Sequence, residues 1–299
     1  MVVYKEWPGC KELLSMIKDY KGLEIEAVRQ DAGLFEEALN TLYRKADGDI
    51  VVNTDSDAHV SRNWVKEHLD IHRKIKNAGM ATGMVDESTF ADGSALPFFT
   101  RKMNEWKWLM NKHTLMDLPI DPKFKDYGMY IGKSGMLVDT GKRHNLIKTF
   151  KQHGVNMSWK RDALHGFRLP GYTKKGGRNE AAAALEVLFR GFTPIWFDRA
   201  MVHHPLHQSD SRSTSIASLP QELTAESVLF SYYVSRMYDV DLETLKSRTD
   251  LDNIIAGIVT LRKNKGYSIG YRIAHRAITE GWSAHRVRSA LNDAFSKGK

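Results

Sequence analysis

Ala46-Asp47-Gly48-Asp49-Ile50-Val51-Val52-Asn53-Thr54-Asp55-Ser56-Asp57 reads as a turn, a short apolar strand and two carboxylates one residue apart beyond the strand's end. In α/β proteins ligands bind in the crevice outside the carboxyl ends of the strands, so this stretch puts a carboxylate pair at a binding edge. Such a pair suits a divalent cation that also takes oxygens from a diphosphate. The spacing alone is weak. It recurs at Asp239-Val240-Asp241 and Asp250-Leu251-Asp252 in helical surroundings, where a cap or a solvated face is the plainer reading. Only the first copy follows a strand, and a turn or cap stays open for it as well.

Working outward, the flanking chain alternates strand and helix. Val2-Val3-Tyr4 is a short apolar run before a Pro8-Gly9 turn, and Leu13, Leu14, Ile17 and Tyr20 recur at helical spacing. Leu23 to Val28 alternates with period two, as a half-buried strand does, and Leu34, Phe35, Ala38, Leu39 and Leu42 then share a helical face. Ile50-Val51-Val52 reads as a buried strand, and the alternation predicts a parallel sheet covered by helices. Further on the pattern predicts a helix over 64–75, a strand over 80–85, a helix around Trp106–Met110, loop with short strands over 117–141, and a strand over 195–202. Residues 208–220 are rich in Ser, Thr, Asp and Gln and read as a mobile loop or linker. Beyond them three apolar faces at helical spacing (Val228 to Met237, Leu251 to Val259, Val287 to Phe295) predict an all-helical C-terminal region over 221–299. The domain reading is therefore 1–207 for the α/β part, 208–220 for the linker and 221–299 for the helices.

The 299 residues carry 44 basic and 36 acidic side chains, a net charge of +8, which favours anionic partners without choosing between phosphorylated small molecules, nucleic acid and an anionic membrane surface. A single cysteine, Cys10, excludes an internal disulfide framework and a thiolate-rich zinc site. No apolar run reaches the roughly 18–20 residues that span a bilayer, and the first residues lack an apolar signal core. A cytoplasmic protein, peripheral to a membrane at most, is the expectation.

Two more constellations carry chemistry. Gly176-Gly177-Arg178-Asn179-Glu180 opens an apolar helix, so Glu180 falls in its first turn, where it is either a base able to take a hydroxyl proton or a plain dipole-favoured glutamate. Val202-His203-His204-Pro205-Leu206-His207 closes a strand, and neutral imidazole is a common ligand for first-row metals, although such a cluster is also found simply on surfaces. Together the carboxylate pair, the glutamate and the histidines would assemble one metal-dependent site.

In this order the motifs resemble the GT-A glycosyltransferases of the large family 2. Ala46 to Val52 with Asp55-Ser56-Asp57 is similar to that family's core, as is Arg29-Gln30-Asp31-Ala32-Gly33 with Glu37-Ala38-Leu39-Asn40. Gly154 to Arg161 is similar to its segment lining the acceptor side, and Gly191 to His204 to its closing strand. The resemblance covers about residues 1–207. It implies a GT-A fold and Mn²⁺ or Mg²⁺ held by Asp55, Asp57 and His204, with a nucleotide-sugar donor bound through Asp55, Asp57, Lys175 and Arg178. Glu180 would be the base of an inverting transfer. Two departures stand out. Val2 to Gly9 aligns with the family's second strand, leaving its first strand and helix unrepresented and Lys5 and Glu6 where base-contacting acids are usual. Asn179 also replaces the first member of the family's Glu-Asp pair. The acceptor is open: a glycan, a lipid-linked molecule at an anionic membrane surface, or a nucleic acid. The alternatives are a retaining transferase of the same fold, a non-catalytic nucleotide-sugar or nucleic-acid binding protein, and a metal-dependent nucleotidyltransferase.

Overall fold

The structure is a computed structural model that describes residues 1–4, 8–30, 35–87, 111–142, 144–205, 221–260 and 265–296. The expected helix around Trp106–Met110, the linker 208–220, and Lys5, Glu6 and His207 lie outside the described residues. Two short strands, β1 (Val2–Tyr4) and β2 (Ala27–Arg29), pair in parallel on either side of helix α1 (Cys10–Asp19). The strand read from Leu23 to Val28 is thus only its end. Leu23 is 69% exposed, so the alternation there has no layer to bury against. Helix α2 (Phe35–Lys45) follows and buries Leu39 and Tyr43.

The central sheet has five strands, β3 (Ile50–Asn53), β5 (Ala78–Thr82), β9 (Leu146–Lys148), β10 (Met157–Lys160) and β11 (Thr193–Phe197), in the order β3-β10-β5-β11-β9. Strands β3, β5 and β11 share one direction, while β10 and β9 run against their neighbours. The reason is topological. Strand β10 enters the sheet between β3 and β5 from a long excursion that includes the hairpin of β7 (Met129–Ile131) and β8 (Leu137–Asp139). Every residue of β3 is only half-buried, because it lies at the sheet's edge rather than in its interior as its apolar run suggested. A second, three-stranded sheet joins β4 (His59–Val60), β12 (Val202–His203) and β6 (Val85–Asp86) in the order β4-β12-β6.

Two bodies of apolar side chains hold these layers. The smaller contains Trp64, Ala78, Ala81, Val155, Ile195, Phe197, Ala200 and Val202, and helix α3 (Trp64–Lys74) supplies its cover. Within it the Ser158 hydroxyl lies 2.8 Å from His68 Nδ1 and 2.9 Å from His72 Nε2, while Asn156 Oδ1 accepts from Trp64 Nε1 at 2.8 Å. The larger body runs continuously from Tyr43 and Trp159, through the short helix α4 (Arg161–Leu164) and the alanine-rich α5 (Asn179–Phe189), into the C-terminal helices. Small side chains at Ala181, Ala182, Ala183 and Ala184, all buried, let α5 lie close to its neighbours.

The C-terminal region is helical as expected: α6 (Gln221–Val234), α7 (Leu242–Thr260), α8 (Lys265–Thr279) and α9 (Ala284–Ser296). Val228, Leu229, Tyr232 and Tyr233 are buried, but in the second apolar face Leu251 and Ile254 are exposed and Ile255 is half-buried. In α9, Val287 and Leu291 are buried while Ala294 is exposed and Phe295 half-buried. The tail's aromatics pack rather than project. Trp282 is buried under the Arg276 and Arg286 guanidiniums, 4.9 and 4.2 Å from its ring centre. No helix among the described residues is long and apolar enough to cross a membrane.

Candidate active site

Strand β3 ends at Asn53, whose amide donates to the Gly154 carbonyl, and the chain then turns to present Asp55 and Asp57, both half-buried. His204 arrives from the other sheet. Its backbone N–H donates to Asp86 O at 2.8 Å, continuing the β12–β6 pairing by one residue, and its ring is buried. One ligand atom each from Asp55, Asp57 and His204 lies within 4.8 Å of the others. His204 Nε2 is 3.5 Å from Asp57 Oδ1, and Nδ1 makes no hydrogen bond although Glu87 Oε1 lies 3.5 Å away. Two carboxylate oxygens and a nitrogen of a buried imidazole without a full set of partners fit a divalent metal ion. His203 points elsewhere, with Nδ1 3.2 Å from Asp86 Oδ2 and its ring stacked on His59.

Asp55, Asp57, Lys175, Arg178, Glu180 and His204 all line one cavity of about 830 Å³, so the three motifs far apart in sequence converge. Glu180 sits half-buried in the first turn of α5, and its partner in space is Gly154. A Cβ on Gly154 would come within 2.7 Å of Glu180 Oε1, so a larger residue there would make the carboxylate swing aside. Beyond Gly154 and Val155, the segment expected to line the acceptor side turns inward: Asn156, Met157 and Ser158 are buried at the sheet. Arg178 caps α5 in the left-handed conformation, φ 68° and ψ 20°, which a non-glycine residue adopts at a cost and mostly at functional sites. Its guanidinium is crowded by protein yet keeps open surface in the cavity. Desolvation first, then the nearby Arg248 charge, lower its proton affinity below the ordinary arginine range. Lys175 Nζ lies 3.6 Å from Glu222 Oε2, which also takes Lys174 at 3.8 Å.

Much of the remaining wall comes from residues that sequence reasoning did not place there. Helix α6 supplies Leu223, Thr224 and Ser227, α7 supplies Arg248 and Asp252, and α8 supplies Tyr267. Arg248 Nη1 donates to Asp117 Oδ2 at 2.6 Å and Nη2 to Leu137 O at 2.6 Å, a buried ion pair tying the tail to the β7–β8 hairpin. Asp252, read as part of a solvated Asp-x-Asp, instead lies 2.8 Å from His113 Nε2. Asp241, by contrast, does cap a helix, accepting from Glu243 N, Thr244 N and Thr244 Oγ1. Two buried carboxylates hold the loop before α5. Glu36 accepts from Gly171 N and Thr173 Oγ1, and Glu226 accepts from Lys174 N, Lys175 N and Gly177 N. Burial raises the pKa of Glu36, with the bonds from Gly171 and Thr173 pulling the other way. The signal available in the sequence was chemical: Glu226 sits inside Leu223-Thr224-Ala225-Glu226-Ser227-Val228-Leu229, where a charge on a mostly apolar helix has to be paired.

No protein-family model and no curated protein sequence matches the chain. Among solved structures, the chain is similar to GalNAc-T7 with UDP, GalNAc and Mn²⁺, at 15% identity and a TM-score of 0.48, over 84% of this chain and 48% of that one. It is also similar to the mannosyltransferase PcManGT of Pyrobaculum calidifontis with GDP-Man and Mn²⁺, at 14% identity and a TM-score of 0.50, over 99% of this chain and 71% of that one. The chain thus spans about half the length of the first and most of the second. At such identities the likeness to the second structure concerns the fold alone, a mixed α/β sheet flanked by helices of the GT-A kind.

Proposed function

We propose that the protein is a metal-dependent glycosyltransferase that moves a sugar from a nucleotide-sugar donor to an acceptor hydroxyl with inversion at the anomeric carbon. The observation that carries this reading is the convergence of Asp55, Asp57, His204, Lys175, Arg178 and Glu180 on one cavity, on this fold. Asp55, Asp57 and His204 would hold Mn²⁺ or Mg²⁺, which when bound supplies Lewis-acid neutralisation of the departing diphosphate. Lys175 and Arg178 line the same cavity and would add fixed positive charge to the space in which the leaving group gains negative charge. Glu180 accepts the proton of the acceptor hydroxyl as its oxygen attacks the anomeric carbon. The glycosidic C–O bond to the diphosphate breaks from the opposite face, and the nucleoside diphosphate leaves. In this reading the helical region 221–299, which contributes wall residues to the cavity, would shape the acceptor side, while the donor would be held by residues of 1–207.

The test is a panel of nucleotide sugars incubated with the protein and Mn²⁺, following nucleoside diphosphate release. One donor is expected to turn over in a Mn²⁺-dependent way, and Asp57→Ala is expected to remove at least about 10³-fold of that rate, the scale of losing a metal-organised electrostatic centre. Release that survives Asp57→Ala unchanged, or none from any donor with no thermal shift, would overturn the assignment in favour of a binding protein.

A further inference from the structure

Glu226 is fully buried, yet its carboxylate faces backbone rather than a basic side chain. Oε1 accepts from Lys174 N at 2.6 Å and Lys175 N at 2.8 Å, and Oε2 accepts from Gly177 N at 2.8 Å. Three nearly successive N–H groups folded round one anion form a nest, and charge-assisted bonds of this kind are about twice as strong as neutral ones. The loop comes so close that a Cβ on Gly177 would stand 2.7 Å from the Glu226 Cβ. Each side needs the other: a buried carboxylate is costly without donors, and without an acceptor the turn has three N–H groups to place. The turn held in this way leads directly into Arg178, whose left-handed backbone is the conformation a relaxed loop would abandon first.

We infer that Glu226, on helix α6 of the C-terminal region, is the positioning residue that fixes the 174–178 turn so that Lys175, Arg178 and, one step later, Glu180 face the cavity. This rests on the catalytic reading above for its consequence, but the anchoring itself does not. In this arrangement the C-terminal helices set the geometry of the anion-binding turn, touching no reacting atom through Glu226. Glu226→Gln keeps the side-chain volume but replaces one acceptor oxygen by an amide whose hydrogens oppose the loop's own.

The experiment is residue-resolved amide hydrogen exchange on the full chain, comparing wild type, Glu226→Gln, Glu226→Asp and Gly177→Ala, with titration of Mn²⁺ alone and of Mn²⁺ with GDP or UDP. Exchange at Lys174, Lys175 and Gly177 is expected to rise at least about tenfold in Glu226→Gln, while amides of α5 and β11 keep their protection. Gly177→Ala, which pushes the same contact from the loop side, is expected to do the same in a chain that retains Glu226. Affinity for the Mn²⁺–nucleoside diphosphate is expected to fall about tenfold in these variants with affinity for Mn²⁺ alone unchanged, a split that general loosening would not give. Unchanged loop exchange in Glu226→Gln, or equal acceleration throughout the chain in all three variants, would overturn the anchor. Absence of nucleotide binding by wild type would instead count against the glycosyltransferase reading, with the exchange data still deciding the role of Glu226.

Discussion

At one end of the cavity Asp55, Asp57 and His204 each stand within a few residues of a strand that aims them, and a small core under α3 supports those strands. At the other end Lys175, Arg178 and Glu180 sit on a turn whose backbone is held by Glu36 from α2 and Glu226 from α6, with Arg248 and Tyr267 completing the wall. The first arrangement is local: the chain that carries the ligands also carries the strands. The second is made by partners 49 or more residues away, in the large core that the C-terminal helices share. Disturbing the two ends should therefore give different signatures, metal affinity for one and loop geometry with overall stability for the other.

The largest effect expected is chemical. Glu180→Gln should lower kcat by roughly 10²- to 10⁴-fold, the usual range for removing a general base, while binding of Mn²⁺ and of the nucleoside diphosphate stays within about twofold. Single-turnover kinetics beside a titration of Mn²⁺ would separate the two. A variant with full kcat would remove Glu180 from the base role and turn the reading toward the retaining alternative.

The comparison sharpens at the ion pair beneath the loop end. Arg248→Met leaves the buried Asp117 carboxylate, among the described residues, with only Ser134 and no cation, and losing one partner of such a pair costs about 3–5 kcal/mol of folding free energy. Urea denaturation should show that loss. Converting Asp117→Asn in the same chain should recover much of it, because the uncompensated charge goes. A loss under about 1 kcal/mol would mean the tail is not braced through this pair. Mn²⁺ affinity of the folded variant should be unchanged, since Arg248 and Asp117 lie outside the Asp55–Asp57–His204 group.

This contrast also explains what could be read from the sequence. Asp55 and Asp57 were legible because a strand directly precedes them, Glu180 because a helix start is marked by Gly176-Gly177, and His204 because its strand ends there. The helices 10–19, 35–45 and 64–74 followed from periodicity, although the first buries only Cys10 and leaves Leu13, Leu14 and Ile17 half-buried. Glu36 and Arg248 carry no local pattern, and the apolar surroundings of Glu226 say that it needs a partner but not which one. Their roles are set by what the fold brings opposite them, and a single chain does not encode that pairing at any fixed spacing. The same limit explains Leu251 and Ile254, which keep helical spacing without a layer to cover them, and β10, whose antiparallel insertion no local alternation announces.

The smallest effect expected belongs to the metal end and shows itself through pH. His68 is buried between Trp64 and Phe197 and His72 against Ala78 and Ser158, and desolvation lowers both pKa values from 6.5 to about 4. The unfolded chain binds these protons near pH 6.5 and the folded chain only near 4, so the stability contributed by excluding them is complete above 6.5. It is lost as pH falls from there toward 4, by at most roughly 3 kcal/mol for each histidine and less in combination, because one imidazolium opposes the next. Urea midpoints for the metal-free protein should therefore decline between pH 7 and pH 5, and the decline should shrink in His72→Gln. Amides of α3 and β10 should lose protection over this range before those of α6, because the histidines lie in the small core and not in the large one. If α6 loosened first, the two halves of the molecule would not unfold as the separate supports that the two ends of the cavity require.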